Sequence, residues 1–184
     1  VSDLFVPPLA EIPRPGQLVA IDAPLYQSGG CAANTGIDLA SLGARVRVSG
    51  RVGADSLGQQ IIDELATAGV DVSTITRSTT SVTSQTVVVS VAGDDRRFLH
   101  CVGANAEFTA ADVEAGSAGA DILVIGGYLI LPSLLPQELL PVIDAARSRG
   151  TTVLLDVAVP LGADGIADQV IPLLSQDRKS TRLN

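Results

Sequence analysis

The chain has 184 residues, 46% of them hydrophobic, which is enough for one domain with a buried core, and it carries a net charge of -8. This acidic balance disfavours nucleic acid and anionic membranes as partners, because both require a basic surface. No apolar stretch approaches the length of about 20 residues that spans a bilayer, so we expect a cytoplasmic protein.

The first half of the chain predicts two helices with a strand between them. Residues 34–42 carry apolar residues at helical spacing and end at Gly43, which is typical of a short helix. Residues 45–52 alternate in polarity and predict a strand. Asp55 is expected to cap a second helix that runs through Ala68, because its apolar positions recur every three or four residues.

The middle of the chain predicts a β-hairpin. Residues 79–102 are rich in Thr, Ser and Val, and the turn-forming residues Ala92 to Asp95 divide them into two runs. Residues 121–125 and 152–156 then predict short buried strands, with a helix over 136–149 between them. Strands that alternate with helices predict an α/β fold with a mainly parallel sheet flanked by helices, into which the hairpin is inserted as a lid.

Two further features limit the interpretation. Cys31 and Cys101 are far apart and are predicted to be free thiols rather than a disulfide or a zinc site. Residues 177–184 contain the only lysine, Lys179, and lack the periodicity of the preceding chain, so we interpret them as a non-native or disordered tail, with a frayed native terminus as the alternative.

The stretch from Gly29 to Asn34, Gly-Gly-Cys-Ala-Ala-Asn, predicts a binding site. Two glycines and two alanines leave little side-chain bulk, so a small ligand can approach the backbone and meet one polar side chain. Gly43 follows nine residues after Asn34, and Gly53 ten residues later. This ordered spacing resembles the N-terminal signature of the ribokinase-like, or PfkB, carbohydrate kinases.

Other segments agree with this resemblance in order along the chain. Val1-Ser2-Asp3 resembles the end of the family's first strand, and Pro13 to Gly16 resembles the turn after it. Residues 52–58, with Gly53, Asp55 and Gly58, resemble the family's strand-to-helix turn, and Gly103-Ala104-Asn105 resembles the exit from its lid. The resemblance covers residues 1–176, which it implies are part of a carbohydrate kinase domain with lid segments at about 3–28 and 79–104.

The family resemblance implies an ATP-dependent phosphotransferase that phosphorylates a hydroxyl group of a sugar, sugar acid or nucleoside, with ATP and magnesium as cofactors. The acidic charge of the chain predicts no nucleic-acid or membrane partner, and the lid strands suggest a homodimer. By resemblance, the substrate-binding residues are Asp3, Gly29, Gly30, Asn34 and Asn105. Each has a plainer interpretation as well: Asp3 as a solvated residue, Asn34 as a helix cap, and the others as turn residues.

The family's catalytic Gly-Ala-Gly-Asp turn and its Asn-x-x-Glu motif are absent from the sequence. We therefore expect the chain to hold the substrate-binding half of a kinase, incomplete at its C-terminus and inactive alone; no catalytic or metal-binding residue is assigned. The alternative is a non-catalytic module that binds small polyols. Cys31, Gly36 and the apolar segment 126–129 depart from the pattern of ribokinases, so the substrate is left open, and His100 is interpreted as a surface residue.

Overall fold

The computed structural model describes residues 1–159, 162 and 164–174, so the predicted tail at 177–184 lies outside the described residues. The chain divides into two compact units, Val1–Ala106 and Glu107–Asn184, each of which is described by itself. No helix in the described ranges is long and apolar enough to cross a membrane.

The first unit contains six strands and two α-helices, followed by a short 3-10 helix over Gly103–Glu107. In chain order the strands and α-helices are β1 (Ser2–Leu9), β2 (Leu25–Ser28), α1 (Cys31–Ser41), β3 (Gly50–Gly53), α2 (Ser56–Thr67), β4 (Ile75–Ser78), β5 (Gln85–Val91) and β6 (Arg97–Cys101).

Four of these strands form one mixed sheet in the order β2-β1-β5-β6. β1 pairs antiparallel with β2 and parallel with β5, and β5 pairs antiparallel with β6 as the predicted hairpin. The strands come from the two segments whose sequence resembles a lid. Asp3 was expected at the end of a strand, and this was wrong: β1 continues to Leu9, because its backbone pairs with β5 beyond that point.

The remaining strands of the first unit, β3 and β4, form a parallel pair. The prediction of a strand over 45–52 placed it too early, because Arg47 makes only an isolated bridge with Asp71 and the continuous ladder begins at Gly50. The core beside this pair is aliphatic, as expected from the scarcity of aromatic residues: Ala33, Val48, Val52, Ile61, Leu65 and Val70.

The second unit has an α/β pattern of its own. Its elements are α3 (Ala110–Ser117), β7 (Ile122–Tyr128), α4 (Pro136–Ser148), β8 (Thr152–Val157) and α5 (Ile166–Leu174). β7 and β8 pair in parallel, and residues of α4 and α5 pack in the hydrophobic core with Ile125 and Tyr128. The predicted strand at 121–125 is longer than expected: β7 extends through Tyr128, into the apolar segment 126–129, with a register shift after Ile125.

Candidate functional site

The carboxylate of Asp3 lies directly against the backbone of Gly29. A Cβ atom at position 29 would stand 1.9 Å from Asp3 Oδ2 and 2.4 Å from its Cγ, so a side chain at this position would displace the carboxylate from where it lies. The two residues meet because β1 and β2 pair with Asp3 opposite Gln27, and because the Gly29 amide donates to the Val1 carbonyl at 2.9 Å. The structure therefore brings together two residues that are 26 positions apart in the sequence.

Gly30 joins this pair to α1. It is the N-cap residue of the helix and has a φ of 85° and a ψ of 157°, a conformation that residues other than glycine rarely adopt. Its carbonyl accepts from the Asn34 amide at 3.1 Å, which starts the helical hydrogen-bond pattern. Asn34 lies inside α1 and is exposed, so it does not cap the helix, and its side chain is available to a ligand at the first turn.

Asn105 lies in the 3-10 helix that follows β6, where its amide donates to the Val102 carbonyl at 3.1 Å. Its neighbour Ala104 is fully buried and donates to the Val82 carbonyl, which holds this helix against the start of β5. In the described part of the chain, no hydrogen bond joins Asn105 to the other four predicted site residues. The contacts that the structure shows are those of Asp3 with Gly29 and of Gly30 with Asn34.

Asp55 organises the glycine-rich turn between β3 and α2. Its carboxylate accepts from the Gly58 amide at 2.8 Å, the Thr83 amide at 2.8 Å and the Thr83 hydroxyl at 2.6 Å. The Thr83 hydroxyl also accepts from the Gly53 amide at 2.9 Å. Burial raises the pKa of Asp55, but the hydrogen bonds from Thr83 and Gly58 outweigh it and hold the pKa below its ordinary value. Asp55 is thus a structural residue that ties α2 to the start of β5.

Glu64 connects α2 to the segment just before the Gly29-Gly30 turn. Its carboxylate accepts from the Ser28 amide at 3.0 Å and from the Gln60 side chain at 2.7 Å. Burial raises the pKa of Glu64, but the hydrogen bonds from Ser28 and Gln60 outweigh burial and hold the pKa below its ordinary value. The carboxylate therefore stays charged near neutral pH. Sequence reasoning did not identify Glu64, because a glutamate in a helix carries no signal of its distant partner.

An open cleft of about 1060 Å³ lies between α1 and α2, and of the predicted site residues only Asn34 lines it. Asp3 and Gly29 are not among its lining residues, so the cleft and the Asp3–Gly29 contact are different features. We place the candidate site at Asp3 and Gly29, because there a carboxylate lies directly against bare backbone, in the space that a side chain at position 29 would fill.

The residues described here do not fit a magnesium site. Among them, no group of three or more His, Cys, Asp or Glu side chains is arranged to hold a metal ion. The sequence also lacks the two motifs associated with ATP phosphates in the family that it resembles. No step of a reaction is therefore assigned to a metal or to ATP on this chain.

Comparison with known proteins decides the family. The model of the pfkB family of carbohydrate kinases matches residues 5–176, which is most of the chain. The chain belongs to this family. The predicted resemblance and the predicted α/β ribokinase-like fold are therefore confirmed, and the glycine-rich segment from Gly29 to Asn34 lies inside the matched region.

Individual relatives in the pfkB family agree with this assignment. The chain is 34% identical over 158 residues to the bifunctional protein HldE of Azotobacter vinelandii, covering 80% of this chain and 31% of that protein. The crystal structure of fructokinase from Xylella fastidiosa is similar with a TM-score of 0.72 and 25% identity, covering 95% of this chain and 56% of that one. Ribokinase from Giardia lamblia gives a TM-score of 0.73 at 19% identity, covering 92% and 56% of the two chains. The chain thus spans about half the length of these structures.

Proposed function

We propose that this chain supplies the sugar-binding part of an ATP-dependent carbohydrate kinase. The single observation that carries the proposal is the contact between Asp3 and Gly29, which leaves a carboxylate beside bare backbone at the start of a helix. An ionised carboxylate accepts hydrogen bonds only, so Asp3 suits the hydroxyl donors of a polyol. The Asn34 amide, one helical turn along, adds one donor group and one acceptor for a neighbouring hydroxyl.

In this proposal the chain binds and orients the substrate hydroxyls, and ATP supplies the phosphoryl group. Phosphoryl transfer depends mainly on positioning and charge stabilisation, so holding the sugar in a fixed orientation is a catalytic contribution in itself. The family's catalytic base motif does not occur in the sequence, and we therefore propose that the 184-residue chain alone transfers no phosphate. The solved fructokinase and ribokinase relatives support a sugar as the substrate class.

The experiment is a thermal-shift panel with D-ribose, D-fructose, D-gluconate and adenosine on the wild type and on Asn34→Ala. Thr35→Ala is the matched control, because Thr35 is an exposed neighbour on the same helix. We expect a sugar to raise the melting temperature of the wild type and of Thr35→Ala, with a smaller shift for Asn34→Ala. Equal shifts in all three proteins would remove Asn34 from the site.

Activity is tested separately with a coupled assay of ADP release, using the same panel of compounds. We expect no sugar-dependent ADP release from the 184-residue chain. Turnover by this chain would contradict the proposed inactivity. Sugar binding by a longer parent chain that also lacks the catalytic Gly-x-Gly-Asp turn would favour the alternative, a non-catalytic polyol-binding module.

We also propose a homodimer through the four-stranded sheet. Its two edge strands, β2 and β6, expose large apolar side chains on the face opposite to Asp3: Tyr26 is 49% exposed and Leu99 is 66% exposed. Sedimentation of the wild type and of Leu99→Lys tests this proposal. Weaker self-association of Leu99→Lys than of the wild type supports it, and equal association of the two proteins contradicts it.

A further inference from the structure

A row of four polar side chains crosses the whole four-stranded sheet. Asp3 lies opposite Gln27 on one side and opposite Thr86 on the other, and Thr86 lies opposite His100. Residues directly opposite each other on neighbouring strands project their side chains to the same face of a sheet. Gln27, Asp3, Thr86 and His100 therefore share one face, which is the face of the proposed sugar-binding carboxylate.

An apolar row lies beside the polar row on the same face, two residues away from it on each strand. Its members are Leu25, Phe5, Val88 and Phe98, which lie opposite one another in the same strand order. Phe98 is 58% exposed, and the Arg96 guanidinium lies 5.7 Å from the centre of its ring. A polar row next to an exposed aromatic ring matches a sugar, which has polar hydroxyls and apolar C–H faces.

His100 is held in a defined orientation within this row. Its Nδ1 forms a hydrogen bond of 3.0 Å with the Thr86 hydroxyl, and this bond fixes the orientation of the ring. Nε2 lies on the opposite side of the ring and has no hydrogen-bond partner among the residues that the structure describes. Burial lowers the pKa of His100 below its ordinary value although Asp3 opposes this, which favours the neutral ring. A neutral imidazole suits a hydroxyl group better than an anion.

We propose that His100 is a substrate-binding residue whose Nε2 forms a hydrogen bond with a hydroxyl of the same neutral sugar that Asp3 contacts. The inference rests on the proposed function. Adjacent strands are about 4.8 Å apart, so the Cα atoms of Asp3 and His100, which are two strands apart, are about 10 Å from each other. A pentose or hexose with a hydrogen bond of about 2.8 Å at each end spans this distance. Because Thr86 fixes Nδ1, it acts as a positioning residue for His100.

His100 is the only histidine in the sequence, so its ring proton signals can be assigned without ambiguity in NMR spectra. In proton NMR spectra of the wild type, we expect the Hε1 and Hδ2 signals of His100 to shift as D-ribose or D-fructose is added to saturation. Dissociation constants are then measured by calorimetry for two matched variants. His100→Gln places an amide near the position of Nε2, whereas His100→Asn places it near Nδ1. We expect His100→Asn to bind the sugar about five- to tenfold more weakly and His100→Gln to retain most of the affinity.

Three outcomes contradict the inference in different ways. If a neutral sugar binds while the His100 signals stay in place and both variants keep the wild-type dissociation constant, the inference is wrong and the proposed function stands. Binding of D-gluconate alone, tighter at pH 5 than at pH 8, would overturn the neutral sugar class. If no compound of the panel binds, the proposed function fails and this inference fails with it. The NMR measurement uses the wild type, so it remains informative even if a variant does not fold.

Discussion

A missing Cβ atom at one residue decides the geometry of the candidate site. Gly29 is buried, and the Asp3 carboxylate occupies the space that a side chain at this position would fill. A glycine in a turn usually reflects backbone conformation, but Gly29 has no positive φ and is required for close approach instead. The residue type at position 29 therefore sets where the Asp3 carboxylate can lie.

Gly29→Ala is expected to displace the Asp3 carboxylate and to weaken sugar binding by about tenfold or more, the loss of one or more hydrogen bonds to a charged group. Gly50→Ala is the matched control, because a Cβ at Gly50 meets nothing within 4 Å. Calorimetric titration with the sugar identified in the thermal-shift panel measures both variants. Unchanged affinity of Gly29→Ala would show that Asp3 does not contact the ligand.

Asp55→Asn is expected to lower the free energy of unfolding by about 2 kcal/mol at pH 7, because a charged acceptor of three hydrogen bonds is lost. Urea denaturation followed by circular dichroism measures the effect. Asp63→Asn is the control, since Asp63 is exposed on the same helix and, among the residues that the structure describes, accepts only from the Gln59 side chain. A similar small loss in both variants would contradict the structural role of Asp55.

The pH dependence of the same variants provides a second test. The folded-state pKa of Asp55 is below the ordinary value of an aspartate, so its stabilising contribution is present above about pH 4 and is lost as the pH falls through the folded-state pKa. The wild type should therefore lose stability more steeply than Asp55→Asn below pH 4. Parallel acid-unfolding curves would mean that the hydrogen bonds of Asp55 do not depend on its charge.

At the scale of elements, α1 is positioned by close packing rather than by helix propensity. Gly36 costs the isolated helix about 1 kcal/mol relative to alanine. In the structure, however, a Cβ at position 36 would stand 2.8 Å from Val48 Cγ2, so the glycine allows α1 to pack against Val48 in the core. The departure from the family pattern at Gly36 thus has a structural reason within this chain.

Gly36→Ala is expected to destabilise the wild type by about 1 kcal/mol, since overpacking outweighs the gain in helix propensity. In a Val48→Ala background the obstructing methyl groups are gone, and the same change should stabilise the protein. A double-mutant cycle with urea denaturation measures this change of sign. Additive effects of the two substitutions would contradict the packing explanation.

The β5–β6 hairpin shows how far an element can be predicted. The composition of residues 79–102 correctly predicted two strands and a turn. Pairing centred on the predicted turn at 92–95 would place Thr86 opposite Cys101, whereas the observed register places it opposite His100. A shift of one residue moves a side chain to the other face of the sheet, so the polar row could not be derived from the sequence.

At the scale of the whole molecule, the chain covers about half of the pfkB structures it resembles, and part of its sheet surface is apolar and uncovered. Within the second unit, Ile122 is 59% exposed, Val124 is 44% exposed and Leu154 is 47% exposed. Val124 lies opposite Leu154 and Ile122 lies two residues before Val124, so the three share one face of the β7–β8 pair. Such a contiguous apolar face favours association.

The 184-residue chain is therefore expected to self-associate, and Leu154→Lys should reduce this association. Light scattering as a function of concentration measures it. Leu42→Lys is the control, because Leu42 is 82% exposed after α1, outside this face. A monodisperse wild type, or equal reduction by both lysine variants, would show that the β7–β8 face is not the cause.

The sequence by itself determined the family, the α/β class and several of the segments that form helices and strands, because spacing of glycines and periodicity of apolar residues are local properties. It also identified Asp3, Gly29, Gly30 and Asn34 as candidate residues. Only the tertiary structure decided that Asp3 lies on Gly29 and that His100 shares its face. It also revealed that Thr83 fixes Asp55 and that Glu64 holds Ser28. These contacts join residues far apart in sequence, and their pairing depends on strand register and packing, which no local pattern encodes.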